Sequence, residues 1–445
     1  MKRRKFLEKT LVGTAGLALG ASGILSKSCK SANNRVVLAL IGAGDRGVSS
    51  VIGTCRNNLD VEVKTICDVD DGVAEKAAVA TANQLGYKVQ TCRNMEEVFD
   101  DRDIDAVWIA TPDHWHALAA IRACQSGKDV YVEQMPGNCI WESRKVAEAA
   151  GKYRKTVQVG YQSRSDASAI SAREYIQSGK LGQVVHIKVY NLHGGQKWTA
   201  LSDSDIPPGL DWDAWLGPAA YRTYNHGIHK GWPDYWAFSA GSFKEAGHQL
   251  DIARMLMGDP EHPESVMGWG GSHVRMSERE IPEFQSVTFD FEKFTMTCES
   301  GNVTDYTTSA PSGVTNDPMR NWALNGSRIE IYGTEGMMYF GRKGGGWQVY
   351  GPGEEIIARE AGTDPDQDHQ TNFIESIRER RIRPNCDPEQ AHRSATLVHL
   401  ANITYRTGNR QILFGKDDER ILNNNDADKL LKVHYRGDYI IPENV

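Results

Sequence analysis

Long apolar runs are missing from these 445 residues. No stretch reaches the roughly 18–20 residues that a helix needs to span a bilayer, so the body of the chain is not expected to be an integral membrane protein. Clustered positive charge is missing too. Lys and Arg number 51 against 58 Asp and Glu, a net charge of −7, and no basic block follows the first nine residues. That argues against nucleic-acid binding, which relies on grouped Lys and Arg to displace counterions. Paired cysteines are also lacking. Of eight, setting Cys29 aside leaves Cys55, Cys67, Cys92, Cys124, Cys139, Cys298 and Cys386, an odd number with no C-x-x-C. Neither a metal site nor a disulfide framework is expected, and buried free thiols are the default. Apolar residues at 40% and charged residues at 24% suit a folded chain with a sizeable core. The length suggests two or three domains.

Residues 1–34 read as an address and linker. Arg3-Arg4-Lys5-Phe6-Leu7 precedes a mildly apolar, Gly-rich stretch from Leu11 to Leu25, which resembles a twin-arginine export signal. A basic arm or amphipathic anchor is the alternative. Beyond residue 28 the chain keeps 45 basic and 57 acidic residues, a net charge of −12. A periplasmic location is expected, and Cys29 is a candidate lipid acceptor, although Lys27 fits a lipobox poorly.

From Val36 the pattern changes. Val36-Val37-Leu38-Ala39-Leu40-Ile41 is an all-apolar run suited to a parallel strand buried on both faces. It leads into Gly42-Ala43-Gly44-Asp45-Arg46-Gly47 and a helical stretch, and a second strand, Val61 to Cys67, ends at Asp68. A dinucleotide site needs this order. Gly42 permits the tight turn, Gly44 and Gly47 allow close approach, and the helix N-terminus offers donors to a pyrophosphate. Asp68 would accept from a ribose and repel a 2′-phosphate, favouring NAD over NADP. Two further strands run into Thr111-Pro112-Asp113-His114-Trp115-His116 and into Glu133-Gln134-Met135-Pro136. Ligands of doubly wound sheets collect at such strand ends. Arg46, Thr111, Pro112, His116 and Glu133 are therefore candidate cofactor residues, although His114 and His116 also suit packing.

A second domain is legible from strict alternation at 286–291, 294–298 and 328–332, as in half-buried antiparallel strands. The stretch from Asp211 to Asp234, rich in Trp and Tyr, reads as a long loop or lid. Its rings suit sugar faces and core packing about equally.

Taken together, GAGDRG, CDVD at 67–70, ATPDHWH at 110–116, VYVE at 130–133, VGYQSR at 159–164, GHQLD at 247–251 and GTEG at 333–336 resemble the Gfo/Idh/MocA oxidoreductase family. The resemblance implies an α/β fold: a Rossmann doubly wound parallel sheet over 35–160, then an α/β domain with a largely antiparallel open sheet over 161–445. The C-terminal helix and tail are expected to pack back on the Rossmann domain. It also implies NAD, a sugar, cyclitol or glycoside substrate, and a homo-oligomer.

Two positions depart from the family pattern. Its Glu-Lys-Pro motif supplies a lysine to the reacting hydroxyl. Ungapped counting puts Gln134 there, and a one-residue slip puts Met135 there, so the lysine is absent either way. In its Asp-x-x-x-His motif, His248 fills the His position and Lys244 replaces the Asp. An i, i+4 pair shares a helix face, so both should point into the cleft. The ammonium would favour a neutral imidazole able to act as a base. Relocation of the family's ammonium, altered chemistry and loss of activity all stay open. Asp251 is expected to brace its helix. Gln162 and Arg164 are candidate substrate residues, with structural pairing an alternative for Arg164.

The leading expectation is an NAD-dependent dehydrogenase in which His248 takes the hydroxyl proton and Lys244 or Gln134 orients the oxygen. The alternatives are a redox-neutral NAD-dependent glycosidase or lyase, and a binding protein with impaired chemistry.

Overall fold

The computed structural model describes residues 35–445 apart from 195–200, 242, 275–279, 303, 305, 308–321 and 343. The expected signal and Cys29 lie outside them. No helix among the described residues is long and apolar enough to cross a membrane.

The first sheet is six-stranded and parallel, in the order β3-β2-β1-β4-β5-β6. Its strands are β1 (Val36–Ile41), β2 (Val61–Cys67), β3 (Gln90–Cys92), β4 (Ala106–Ile109), β5 (Asp129–Val132) and β6 (Val157–Val159). Between them run α1 (Asp45–Asn57), α2 (Asp71–Leu85), α3 (Met95–Asp100), α4 (Asp113–Gln125) and α5 (Ile140–Tyr153). The apolar run of β1 is explained by its two faces. Leu38 and Leu40 join one core cluster while Ala39 and Ile41 join another on the opposite side. Residues far along the chain complete both layers: Phe373 and Ile374 pack in the first cluster, Ile441 and Val445 in the second.

After α6 (Ala167–Gln177), β7 (Val184–Leu192) opens a second sheet, nine-stranded among the described residues. The chain then forms α7 (Trp212–Leu216), α8 (His226–Lys230) and α9 (Ala246–Leu256). Strands β8 (Ser265–Gly271), β9 (Phe284–Phe291), β10 (Phe294–Gly301), β11 (Arg328–Gly333), β12 (Met337–Gly341), β13 (Gly346–Tyr350) and β14 (Ile356–Glu360) follow. Helices α10 (Asp366–Arg378) and α11 (Pro388–Arg406), the short β15 (Ile412–Leu413) and α12 (Asn425–Lys429) close the chain. The pairing is antiparallel except between β7 and β10, which run parallel. Alternation works as the sequence suggests: Val287, Phe289 and Phe291 face the core with Met296, Cys298, Ile329 and Ile331, against residues of α6, α9 and α11.

The stretch from Asp211 to Asp234 is more ordered than a long loop. It holds α7 and α8, and Trp212, Trp215, Tyr224 and Phe238 form a cluster of their own. Trp212 and Trp215 stack with centroids 4.6 Å apart. These rings pack on one another, the core-packing alternative of the sequence expectation.

Candidate active site

The chain leaves β1 through Gly42, whose φ of +91° is natural only for glycine and whose Cβ would stand 2.7 Å from the Ala110 backbone. Gly44 is the N-cap of α1 and offers no side-chain cap. A Cβ there would meet nothing within 4 Å, so the space in front of the helix N-terminus is open. Gly47 is buried in the first turn. At the end of β2, Asp68 accepts from the Ala43 N–H (2.8 Å) and the Asp70 N–H (3.0 Å). Burial still raises its pKa. A groove of about 320 Å³ runs past Gly42, Gly44, Asp68, Thr111 and Pro112, and is roofed by Trp215 and Trp232. The open helix end, the carboxylate at the strand tip and the buried, unpartnered Thr111 Oγ1 fit a dinucleotide.

The groove shares Arg46, Thr111 and Trp232 with a second cavity of about 400 Å³. Gln134, Lys244 and His248 all line it, so the three candidate reacting residues are brought together. Lys244 stands in the turn ahead of α9 rather than on it, because Glu245 is the N-cap and the helix begins at Ala246. The Lys244 Nζ donates to Asp113 Oδ1 at 2.6 Å and lies 4.4 Å from the Trp232 ring centroid. Asp113 is fully buried in the first turn of α4, and its Oδ2 accepts from the Ala240 N–H at 3.1 Å. His248 meets Tyr161 edge-on, with centroids 5.7 Å apart.

Burial decides between Gln134 and Met135. Met135 has no exposure and joins the core, whereas Gln134 borders the cavity with its Oε1 buried and unpartnered. Of the two, Gln134 is therefore the residue that reaches the cavity.

Of the remaining candidates, Arg164 takes its structural alternative and His116 needs correction. Arg164 lines neither cavity. Its side chain is 4% exposed, its Nε donates to both oxygens of Asp251 at 2.9 Å, and its Nη2 reaches Asp259 at 2.9 Å. A guanidinium fork matched to a buried carboxylate is structural here, and Asp251 braces α9 as expected. His116 borders the cavity, but both ring nitrogens face carbonyls, Nδ1 at Met135 (2.6 Å) and Nε2 at Thr111 (2.8 Å). Burial lowers its pKa, so the neutral ring donates to one of the two carbonyls, and both nitrogens are turned to the protein rather than to a ligand. His114 is a packing residue: Trp215 O lies 3.1 Å from its Nε2, and burial pulls its pKa to about 4. Arg46 and Glu133 pair with each other at 2.9 Å, while Arg46 also reaches Asp366 at 2.8 Å. Arg46, Glu133 and Gln162 all line the cavity, and Gln162 donates to Tyr131 Oη at 3.0 Å and to Glu133 at 3.4 Å. Burial raises the pKa of Glu133 against the pull of Arg46.

Residues 36–161 match the family model described as an oxidoreductase family with an NAD-binding Rossmann fold. Residues 166–306 and 339–441 match the model of that family's C-terminal alpha/beta domain. The chain belongs to the Gfo/Idh/MocA oxidoreductase family. Among curated relatives, an alpha-N-acetylgalactosaminidase of Shewanella oneidensis is 28% identical over 220 residues, covering 43% of this chain and 46% of that protein. A glycosyl hydrolase family 109 protein of Stenotrophomonas maltophilia is 31% identical over 204 residues, covering 43% and 42%. These matches span less than half of the relatives' length. Among solved structures, the aldose-aldose oxidoreductase of Caulobacter crescentus, complexed with glycerol, superposes with a TM-score of 0.65 at 16% identity, covering 85% of this chain and 100% of that one. The WlbA dehydrogenase of Bordetella pertussis, in complex with NADH and UDP-GlcNAcA, gives 0.61 at 18%, covering 86% and 100%. Both likenesses show the fold.

Within this Gfo/Idh/MocA chain, Trp232 and Arg342 line the cavity and Asp113 anchors Lys244, and none of the three is among the expected site residues. Asp113 sits inside the ATPDHWH segment and could have been weighed as a partner for a displaced lysine. Trp232 lies in the aromatic stretch. Arg342 follows β12, borders the cavity and makes no ion pair among the described residues, and burial lowers its pKa. No local pattern marks it.

Proposed function

We propose that this protein is an NAD-dependent enzyme that oxidises a carbon of a sugar or glycoside. The observation that carries the reading is the convergence of Lys244, His248 and Gln134, drawn from both halves of the chain, in a cavity continuous with the dinucleotide groove. Gly42, Gly44, Asp68, Thr111 and Pro112 would hold the dinucleotide, which supplies the hydride acceptor. Asp68 favours NAD, since its carboxylate would repel a 2′-phosphate.

The chain's own part in the reaction follows from donors and acceptors. An ammonium has three N–H donors. One is committed to Asp113, which leaves Lys244 able to donate to the reacting oxygen. His248 takes the proton of that hydroxyl as the C–H bond breaks. Gln134 Oε1, buried without a protein partner, accepts from a neighbouring hydroxyl of the ring. The indole of Trp232 covers the ammonium and screens it from water.

A second reading is favoured by the relatives named as glycosidases. There the same oxidation is transient: the aglycone leaves as its alcohol by elimination, water adds across the double bond so formed, the hydride returns to the carbonyl carbon, and no net cofactor is consumed. The arginine pair at Arg3-Arg4 supports a twin-arginine route, which carries folded proteins and would deliver the enzyme with its dinucleotide already bound.

Incubating the purified protein and its co-purified dinucleotide with sugars and glycosides, with products identified by mass spectrometry, tests both readings. An intact sugar lacking two hydrogens, matched by reduced dinucleotide, supports the dehydrogenase. Cleavage without cofactor turnover supports the glycosidase. Bound dinucleotide with no reaction on any sugar contradicts both.

A further inference from the structure

A third cavity, of about 170 Å³, adjoins the reaction cavity and shares Lys244 and Glu245 with it. Its wall includes Glu283, just ahead of β9, and Asn302, just after β10. Glu283 is 2% exposed. Its Oε2 accepts from the backbone N–H groups of His273 (3.0 Å) and Val274 (2.9 Å), but its Oε1 is buried with no partner. The Oδ1 of Asn302 is likewise buried and unpartnered.

Such oxygens are costly to leave unsatisfied, and a carboxylate most of all. Both are acceptors, so whatever fills the cavity must bring O–H or N–H donors. Pro233, Ile281 and Pro282 supply apolar surface beside them, which suits the C–H face of a sugar ring. Glu245 and Glu283 put two carboxylates in the lining against one ammonium, that of Lys244, which is already paired with Asp113. A carboxylate- or phosphate-bearing ligand would be repelled, whereas a neutral or ammonium-bearing one would not.

We infer that this cavity is a distal subsite for the second unit of a neutral or amino-bearing glycoside, whose first ring occupies the reaction cavity. Glu283 and Asn302 accept hydrogen bonds from that second unit. The inference rests on the carbohydrate reading above and narrows its substrate class to molecules of at least two units.

Titration calorimetry on the dinucleotide-loaded protein tests it directly. The probes are a panel of neutral disaccharides, their component monosaccharides, and disaccharides ending in a uronic acid. Wild type should bind a neutral disaccharide at least about tenfold more tightly than its monosaccharides, and the uronate more weakly. Glu283→Gln keeps an oxygen for the two backbone donors but turns the group facing the cavity into a donor. It should weaken disaccharide binding by about tenfold or more while monosaccharide binding stays within about twofold. Asn302→Ala should shift affinity in the same direction and carries the test if the Glu283 variant fails to fold. Disaccharide affinity equal to monosaccharide affinity in wild type, or an equal loss for both in the variants, overturns the subsite alone and leaves only water in the cavity. Failure of wild type to bind any sugar overturns the carbohydrate reading along with it.

Discussion

Lys244 Nζ stands 2.6 Å from Asp113 Oδ1, an ion pair that joins the turn before α9 to the first turn of α4. After β5 the cavity is lined by Gln134 rather than a lysine, and its ammonium comes from Lys244, held by a carboxylate with no exposure to water. Asp113 is a positioning residue in this arrangement: its second oxygen is tied to the Ala240 N–H, which fixes the direction from which Lys244 approaches.

Lys244→Met is expected to lower turnover by about 10²–10⁴-fold, the usual contribution of a placed proton-handling group. Dinucleotide content should not change, because Lys244 does not line the groove. Asp113→Asn should give a smaller loss and raise KM, since the ammonium keeps its charge but loses its anchor. Steady-state kinetics beside the absorbance of bound dinucleotide would check both.

Gly44→Val would place methyl groups in the open space ahead of α1. The fold should survive, as nothing within 4 Å is displaced. The dinucleotide should be lost on purification. Retention of a full complement would show that the groove is not where it binds.

Arg164 and Asp251 form a buried pair, with side chains 4% and 1% exposed. Removing one partner strands a charge, so Arg164→Ala should cost about 3–5 kcal/mol in denaturant unfolding. Its KM for sugar should be unaffected in whatever protein remains folded. A KM defect without loss of stability would restore Arg164 to the substrate site.

Glu142 gives a pH signature. It is 2% exposed and accepts from the Tyr435 hydroxyl (2.9 Å) and the Asn138 N–H (2.6 Å), yet burial raises its pKa from 4.5 to about 7. A carboxyl raised on folding contributes its full stability below the unfolded value and loses it as pH climbs through the folded one. The loss should fall between about pH 4.5 and 7 and amount to about 3 kcal/mol. Glu142→Gln should match wild type at pH 4 and exceed it by a comparable amount at pH 8. Unfolding curves across that range would show it.

The parts of this structure that are local were legible in the sequence. The apolar run of β1, its Gly-rich turn and Asp68 all follow one another within about thirty residues, and the alternation in β9, β10 and β11 needs only a period of two. Counting along the chain was also enough to bring Lys244 and His248 together. What escaped was set by contacts between distant residues. Asp113 and Lys244 are 131 positions apart, and Arg164 and Asp251 are 87 apart, so neither pair has a spacing to read. The slip between Gln134 and Met135 was open because both suit a turn; only burial separates them. His116 looked like a ligand because its two carbonyl partners, at 111 and 135, belong to different loops. Arg342 sits in a Gly-rich hairpin where no pattern distinguishes a cavity residue from a solvated one.

The central claim is that this cavity removes a hydride from a sugar carbon, and isotope transfer tests it most directly. Sugars and glycosides carrying deuterium on their ring carbons would be incubated with the dinucleotide-loaded protein, and deuterium followed by mass spectrometry in both sugar and dinucleotide. The account predicts that deuterium from one ring carbon appears in the dinucleotide, remaining there for a dehydrogenase or returning to a cleaved product for a glycosidase, and that Lys244→Met suppresses the transfer. Full retention of deuterium in unreacted sugar, with the dinucleotide bound and unlabelled across the panel, would contradict it.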